Sequence, residues 1–165
     1  MAVKIKNRHQ LKTKEITEII QELQKTYHRD FFDKQAMVET GDLEGYNVIL
    51  VNDDVDFFRV EVRILITIRA ISKYTLSKGR VIVDMGAIKF ITNGADIMAA
   101  GIVDADPDIQ ENDPVWICDE THHKALAVGI AVFSGAEMMI KDSGKAVKNF
   151  HYVGDMLWNL TRINP

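Results

Sequence analysis

Three groups of residues have side chains and spacing that could do chemistry. The first is Cys118-Asp119-Glu120-Thr121-His122-His123, a thiol, two carboxylates and two imidazoles in one short run. Zinc prefers Cys and His. The sequence holds a single cysteine, however, adjacent histidines rarely aim at one ion, and the run reads as a hairpin turn, so no metal site is expected. The second group is the acidic stretch Asp104, Asp106, Asp108, Glu111 and Asp113. It lacks the Asp-x-Asp-x-Asp-Gly register of a calcium loop and reads as a solvated face. Like charges with little apolar surface between them make residues 104–113 the segment expected to be most mobile. The third group is Lys89 followed by Gly94-Ala95. Glycine lets a backbone approach a ligand closely or take positive φ. A short helix beginning at Gly94-Ala95 would offer unpaired N–H groups to a phosphate, with Lys89 as a mobile charge beside it. The plainer alternative is a tight turn at Gly94 and a solvated strand lysine at 89.

Further basic residues form two looser groups. Lys73, Lys78 and Arg80 sit near mid-chain; Lys145, Lys148 and His151 sit near the end. His151 could stack on a base or bond a phosphate, or cap a barrel with no ligand contact. Signs of catalysis are lacking: Ser134 and Ser143 have no elbow motif, and no Gly-x4-Gly-Lys-Ser/Thr loop is present. No hydrolase, transferase or synthase activity is expected, and no cofactor is implied. Trp116 and Trp158 alternate with apolar neighbours and are expected in the core.

The elements that must position these groups fall into two halves. Ile16, Ile19, Ile20, Leu23 and Tyr27 recur at helical spacing, which predicts an amphipathic helix over Thr13–Thr26 with Thr13 as N-cap. Strands are predicted at Gln35–Glu39, Asn47–Val51 and Phe57–Val62, the last two joined by the turn-forming Asn52-Asp53-Asp54-Val55. Ile64–Tyr74 reads as a second helix. Ser77-Lys78-Gly79 marks the boundary, giving domains at 1–77 and 78–165. Eight of the ten glycines fall from Gly79 onward. They punctuate predicted strands at Arg80–Val83, Ala87–Phe90, Gly101–Val103, Pro114–Cys118, Ala125–Phe133 and Ala146–Tyr152, with a brief helix at Asn93–Met98, which together point to a small barrel or sandwich.

Composition bounds the partners. The 165 residues are 47% hydrophobic and 27% charged, ordinary for a globular chain able to bury a core. The lone cysteine, the absence of an apolar signal at the start and the short apolar runs lead to the expectation of a cytoplasmic protein. Residues 1–78 hold 13 Lys and Arg against 12 Asp and Glu, whereas 79–165 hold 7 against 12. An acidic second half disfavours indiscriminate phosphate binding, so any nucleic-acid site there must be local and selective by shape.

Val83-Asp84-Met85-Gly86-Ala87-Ile88-Lys89-Phe90, then Asn93-Gly94-Ala95-Asp96-Ile97-Met98 and Gly101-Ile102, resemble the start of a PUA domain. His123-Lys124-Ala125-Leu126-Ala127-Val128-Gly129 is similar to its central strand, and Asn149-Phe150-His151-Tyr152 with Leu157-Trp158 to its closing strands. Taken together these residues resemble the family of the malignant T-cell amplified sequence protein and the N-terminal half of ligatin. Ala100 stands where that family commonly carries proline, and Ile66-Thr67 where it often carries Pro-Thr. The resemblance implies an α+β fold, a small pre-PUA α/β domain followed by a PUA pseudo-β-barrel. It implies non-catalytic binding of structured RNA in translation, at a tRNA acceptor end or small-subunit rRNA. It also implies, as alternatives, an adaptor for a translation-initiation-factor-1-like protein or an accessory subunit of an RNA-modifying enzyme. On this resemblance the RNA site is expected to centre on Lys89, Gly94, Ala95 and Gly101, with Arg80, Lys148 and His151 at its margins.

Overall fold

The structure, a computed structural model, describes residues 5–162. The first half is a five-stranded antiparallel sheet with one long helix laid on it. β1 (Lys6–Gln10), β2 (Val38–Leu43), β3 (Tyr46–Val51), β4 (Asp54–Val60) and β5 (Arg63–Ile66) pair in chain order. α1 (Thr13–Tyr27) lies between β1 and β2 in sequence and buries Ile16, Ile19, Leu23 and Tyr27, the face its periodicity marks. Its N-cap is Lys12 rather than Thr13; Glu15 reaches back to accept from the Lys12 N–H at 3.2 Å. The Tyr27 hydroxyl ties helix to sheet, accepting from the Ile66 N–H at 3.2 Å. Asn52 and Asp53 both take positive φ, 49° and 73°, the geometry that a two-residue hairpin requires, and so β3 turns directly into β4.

The predicted helix Ile64–Tyr74 is in fact split. Arg63–Ile66 continues the meander as β5, and only Ile68–Lys73 is helical (α2), starting after Thr67. Its β-branched residues favour the strand once β4 is available as a partner. The first predicted strand lies later than expected, at Val38–Leu43, and β1, with all five residues exposed, carries no apolar alternation to betray it.

The second half is a curled sheet of six strands, in the order β7-β11-β10-β9-β6-β8. These are β6 (Arg80–Val83), β7 (Ile97–Met98), β8 (Ile102–Ala105), β9 (Pro114–Asp119), β10 (Ala125–Ala131) and β11 (Lys145–Tyr152). α3 (Ile88–Ile91) lies between β6 and β7, α4 (Gly135–Ile140) between β10 and β11, and α5 (Met156–Arg162) follows β11. Period-two alternation gives these strands two apolar faces. Val81, Val83, Val115, Ile117 and Ala127 enter the second half's own core with Met138 and Val147. Ile82, Trp116, Cys118 and Val128, with Leu157, turn the other way and join the core of the first half. The two halves thus share an apolar seam.

Three expectations for the second half are corrected. Ala87–Phe90 is not a strand: a 3₁₀ turn at Met85–Ala87 runs into α3, because the Asp84 carboxylate caps it by accepting from the Ala87 N–H at 3.0 Å. Asn93–Met98 is not a helix but a turn ending in β7. Leu157-Trp158 lies in α5, which Asp155 caps through the Trp158 N–H at 2.7 Å. The acidic segment is also better tied down than its charge implies. Ile109 is buried, Asp106 accepts from the Gly79 N–H at 2.8 Å, and Gly135 packs so closely below that a Cβ there would lie 2.0 Å from the Asp106 carbonyl oxygen.

Candidate nucleic-acid interface

Around Asp84–Gly101 the chain makes a groove of about 590 Å³. Its walls include Asp84, Ala87, Phe90, Ala95, Met98 and Gly101, with Lys145 at the edge. Phe90 is 58% exposed and Met98 49%, with Met85 nearby at 43%. Large apolar side chains clustered in a groove and left open to water mark an interaction site.

The local sequence explains how the groove is held open. Asp84 starts the turn, and its own N–H donates to the Gly101 carbonyl at 2.9 Å, fixing the two walls. Gly94 ends α3. Its φ is +91°, its N–H donates to Ile91 O at 3.0 Å and the Ala95 N–H donates to Phe90 O at 3.0 Å, the paired bonds of a Schellman stop. Those N–H groups are therefore spent within the turn, and the expected helix start presenting unpaired N–H groups at Gly94-Ala95 is overturned. Gly94 lies against Tyr152, whose ring a Cβ would meet at 3.2 Å. The plainer alternative, a tight turn, is the one found at this glycine.

β11 supports the turn from behind. The Asn149 side chain donates to Ile91 O at 3.2 Å and Ala95 O at 3.0 Å, while its backbone N–H donates to Asp96 at 2.9 Å. Asp96 also pairs with Lys145 at 2.9 Å. Burial pushes the Asp96 carboxyl up, but the Asn149 N–H and the lysines at 145 and 148 together hold it below the usual carboxylate range. The charge on Lys145 is in this way partly offset; exposed Lys148 on β11 acts on the same Asp96, and exposed Lys89 on α3 holds its ammonium 5.2 Å from the Phe90 ring.

Of the expected site residues, the structure brings Ala95 and Gly101 to the groove wall; Lys89 lies beside the wall residue Phe90, Gly94 precedes Ala95 in the turn, and Lys148 acts on the wall residue Asp96. Arg80 stands at the far end of β6 from Asp84, opposite Trp116. His151 is fully buried. Its Nε2 accepts from the Ile68 N–H at 3.2 Å, its Nδ1 faces Asp155 at 2.9 Å, and its ring meets Phe58 edge-on at 5.5 Å. It joins the two halves of the molecule, and the expected contact with RNA is overturned. Lys73 is likewise engaged, with Asp54 at 3.0 Å and Asp56 at 2.7 Å. Cys118 is buried, its thiol pushed up to about 11 by that burial, while His122 and His123 are exposed. Sequence reasoning missed Phe90, Met98 and Asn149. The Asp84-x-x-Ala87 cap and the Gly94 stop were the signals that Phe90 sits on a helix and not in a strand.

The PUA domain pattern matches residues 79–153. An uncharacterized protein of Methanocaldococcus jannaschii is 41% identical over 159 residues, covering 95% of this chain and 98% of its own. Malignant T-cell-amplified sequence 1 of Danio rerio is 31% identical over 121 residues, covering 71% of this chain and 67% of its own. The chain belongs to this PUA-domain family. Translation machinery-associated protein 20 of Eremothecium gossypii is 30% identical over 68% of this chain and 66% of its own, so the match to these two eukaryotic relatives spans about two-thirds of their length. Among solved structures, a hypothetical protein of Pyrococcus horikoshii superposes with a TM-score of 0.84 at 37% identity, over 93% of this chain and 99% of that one. A PUA domain from Aeropyrum pernix gives 0.83 at 25% identity, over 94% and 91%. The fold class is α+β with a PUA pseudo-barrel, as the PUA resemblance implies.

Proposed function

We propose that this PUA-family protein binds structured RNA in the translation machinery, without turnover, and holds an unpaired nucleotide of it in the Phe90–Met98 groove. The observation that carries the reading is an open apolar groove, with Lys145 in its lining and the Lys89 ammonium 5.2 Å from the Phe90 ring, in a chain whose second half is otherwise acidic. A base stacked on Phe90 hides apolar surface that water now covers, and the phosphates of its strand meet Lys89 and the neighbouring lysines. Acidic surroundings disfavour duplex backbone elsewhere and confine binding to this place. A tRNA acceptor end suits the groove, since its last nucleotides are unpaired; a single-stranded loop of small-subunit rRNA offers the same chemistry.

Fluorescence anisotropy with labelled tRNA over a salt series tests it. Lys89→Ala is expected to weaken binding about tenfold and lower the salt slope by about one, as for one phosphate contact. Phe90→Ala is expected to weaken it by a similar factor with the slope unchanged. Parent-like affinity in both variants would overturn the assignment. A second reading, an adaptor for a translation-initiation-factor-1-like protein, draws on one observation: Met139 and Ile140 on α4 are 48% and 82% exposed. Pull-down of such a partner that is lost in Ile140→Glu, with tRNA binding absent, would favour it.

A further inference from the structure

A second groove, about 630 Å³, opens between α2, the β9–β10 turn and α5. Its floor is aliphatic, from Ile68, Ile71 and Leu76. Both tryptophans of the sequence line it. Trp116 is 7% exposed with its indole N–H donating to Lys78 O at 3.1 Å, and Trp158 is half-buried. Its charged lining is cationic: Arg69, which pairs with Asp54 at 3.2 Å, and exposed Lys124, with the His123 imidazole beside them. Among the described residues no carboxylate lines it, in a chain of net charge −4. An apolar floor, an indole and a cation select a ligand that is both flat or apolar and anionic.

The position of the groove narrows that choice. The turn at 120–124 separates it from the Phe90–Met98 groove. Glu120, at one end of the turn, accepts from the Met85 N–H at 3.4 Å beside the first groove. His123 and Lys124, at the other end, line the second. Five residues span at most about 17 Å even when extended, a gap that one nucleic-acid strand crosses. Continuity with the first groove favours RNA over an acidic peptide, and base–indole stacking tolerates any base.

We infer that this groove is a second RNA subsite, taking an unpaired nucleotide of the strand whose end lies over Phe90, with its base against Trp158 and its phosphate against Lys124. The inference rests on the RNA reading of the first groove. Because both tryptophans line the second groove, intrinsic emission reports its occupancy directly. The probes are the trinucleotide CCA and the octanucleotide UUUUUCCA, with anisotropy measured in parallel on labelled copies. The octanucleotide is expected to bind the full-length protein about tenfold more tightly than CCA and to quench tryptophan emission, while CCA alone leaves emission unchanged. Lys124→Gln, and Ser72→Tyr, which fills the groove from α2, are each expected to bring octanucleotide affinity toward that of CCA and leave CCA binding as in the parent. If the octanucleotide binds the parent tightly with no change in emission, or binds both variants as it binds the parent, the second subsite is refuted and the first groove stands. If neither oligonucleotide binds the parent, the RNA reading of the first groove falls together with this one. If the acidic peptide Glu-Leu-Asp-Leu-Glu changes emission and the octanucleotide does not, the groove is a peptide site and the inference is wrong.

Discussion

Asn149→Ala should loosen the α3–β7 turn at a cost that can be worked from its contacts. The side chain makes two hydrogen bonds, to Ile91 O and Ala95 O. Each is worth about 0.5–1.5 kcal/mol net. Ile91 O keeps a donor after the change, because Gly94 N–H also reaches it at 3.0 Å. Ala95 O loses the Asn149 donor. The parent also buries the Asn149 Oδ1 without a partner, and alanine removes that penalty. The balance is a loss of about 1 kcal/mol rather than the nominal sum of about 1–3 kcal/mol. Asn149→Asp should cost more, about 2 kcal/mol, since it replaces the two donors with a carboxylate facing two carbonyls, next to Asp96. Urea denaturation gives the stability change, and amide exchange at residues 93–96 gives the local one. RNA affinity should fall in both variants through the loosened groove wall. Asn149→Ala with parental stability and parental exchange at 93–96 would refute the reasoning.

Gly94→Ala should destabilise by about 1–2 kcal/mol, from positive φ and contact with Tyr152, while Gly94→Asn, which tolerates the same backbone, should recover part of that in a thermal melt. Burial pushes the Asp155 carboxyl up, but His151 and the N–H groups of Trp158 and Tyr152 hold it below its usual value, so its contribution is present above about pH 4 and is lost as pH falls through the lowered folded value. The stability gap between the parent and Asp155→Asn, measured by urea melts, should therefore shrink on acidification below pH 4; a gap that stays constant would contradict the pairing. The fragment Ser77–Pro165 should keep a dispersed amide spectrum through its own core, yet melt below the full chain because Ile82, Trp116 and Val128 lose their cover. A collapsed spectrum would place the folding unit across both halves.

Much of this architecture was legible where one signal dominated. The α1 face follows from five apolar residues at helical spacing, and the β3–β4 hairpin from Asn52-Asp53, both of which tolerate positive φ. Reading failed where two patterns competed. Ala87-Ile88-Lys89-Phe90 alternates like a strand, but the cap at Asp84 and the stop at Gly94 decide for α3. Ser134-Gly135-Ala136-Glu137 is a capping box, with Glu137 N–H donating to Ser134 at 3.2 Å, and it is the local signal for α4 in a stretch whose hydrophobic pattern shows none. The site was half visible. Residue type placed Lys89 and Gly101 near the groove, but burial of His151 depends on how two sheets meet, and no local pattern encodes that. Exposure of Phe90 is equally non-local, since it requires knowing that α3 lies at the rim and not beneath it.

The central claim is that RNA enters the groove between Phe90 and Met98. An amide-resolved NMR titration of the full-length protein with an acceptor-stem minihelix ending in unpaired CCA tests it most directly. The account predicts that the largest shifts fall on residues 84–101 and 145–149, and that they vanish when the CCA end is removed. Shifts confined to α1 and the β1–β5 sheet, or indifferent to the unpaired end, would contradict it.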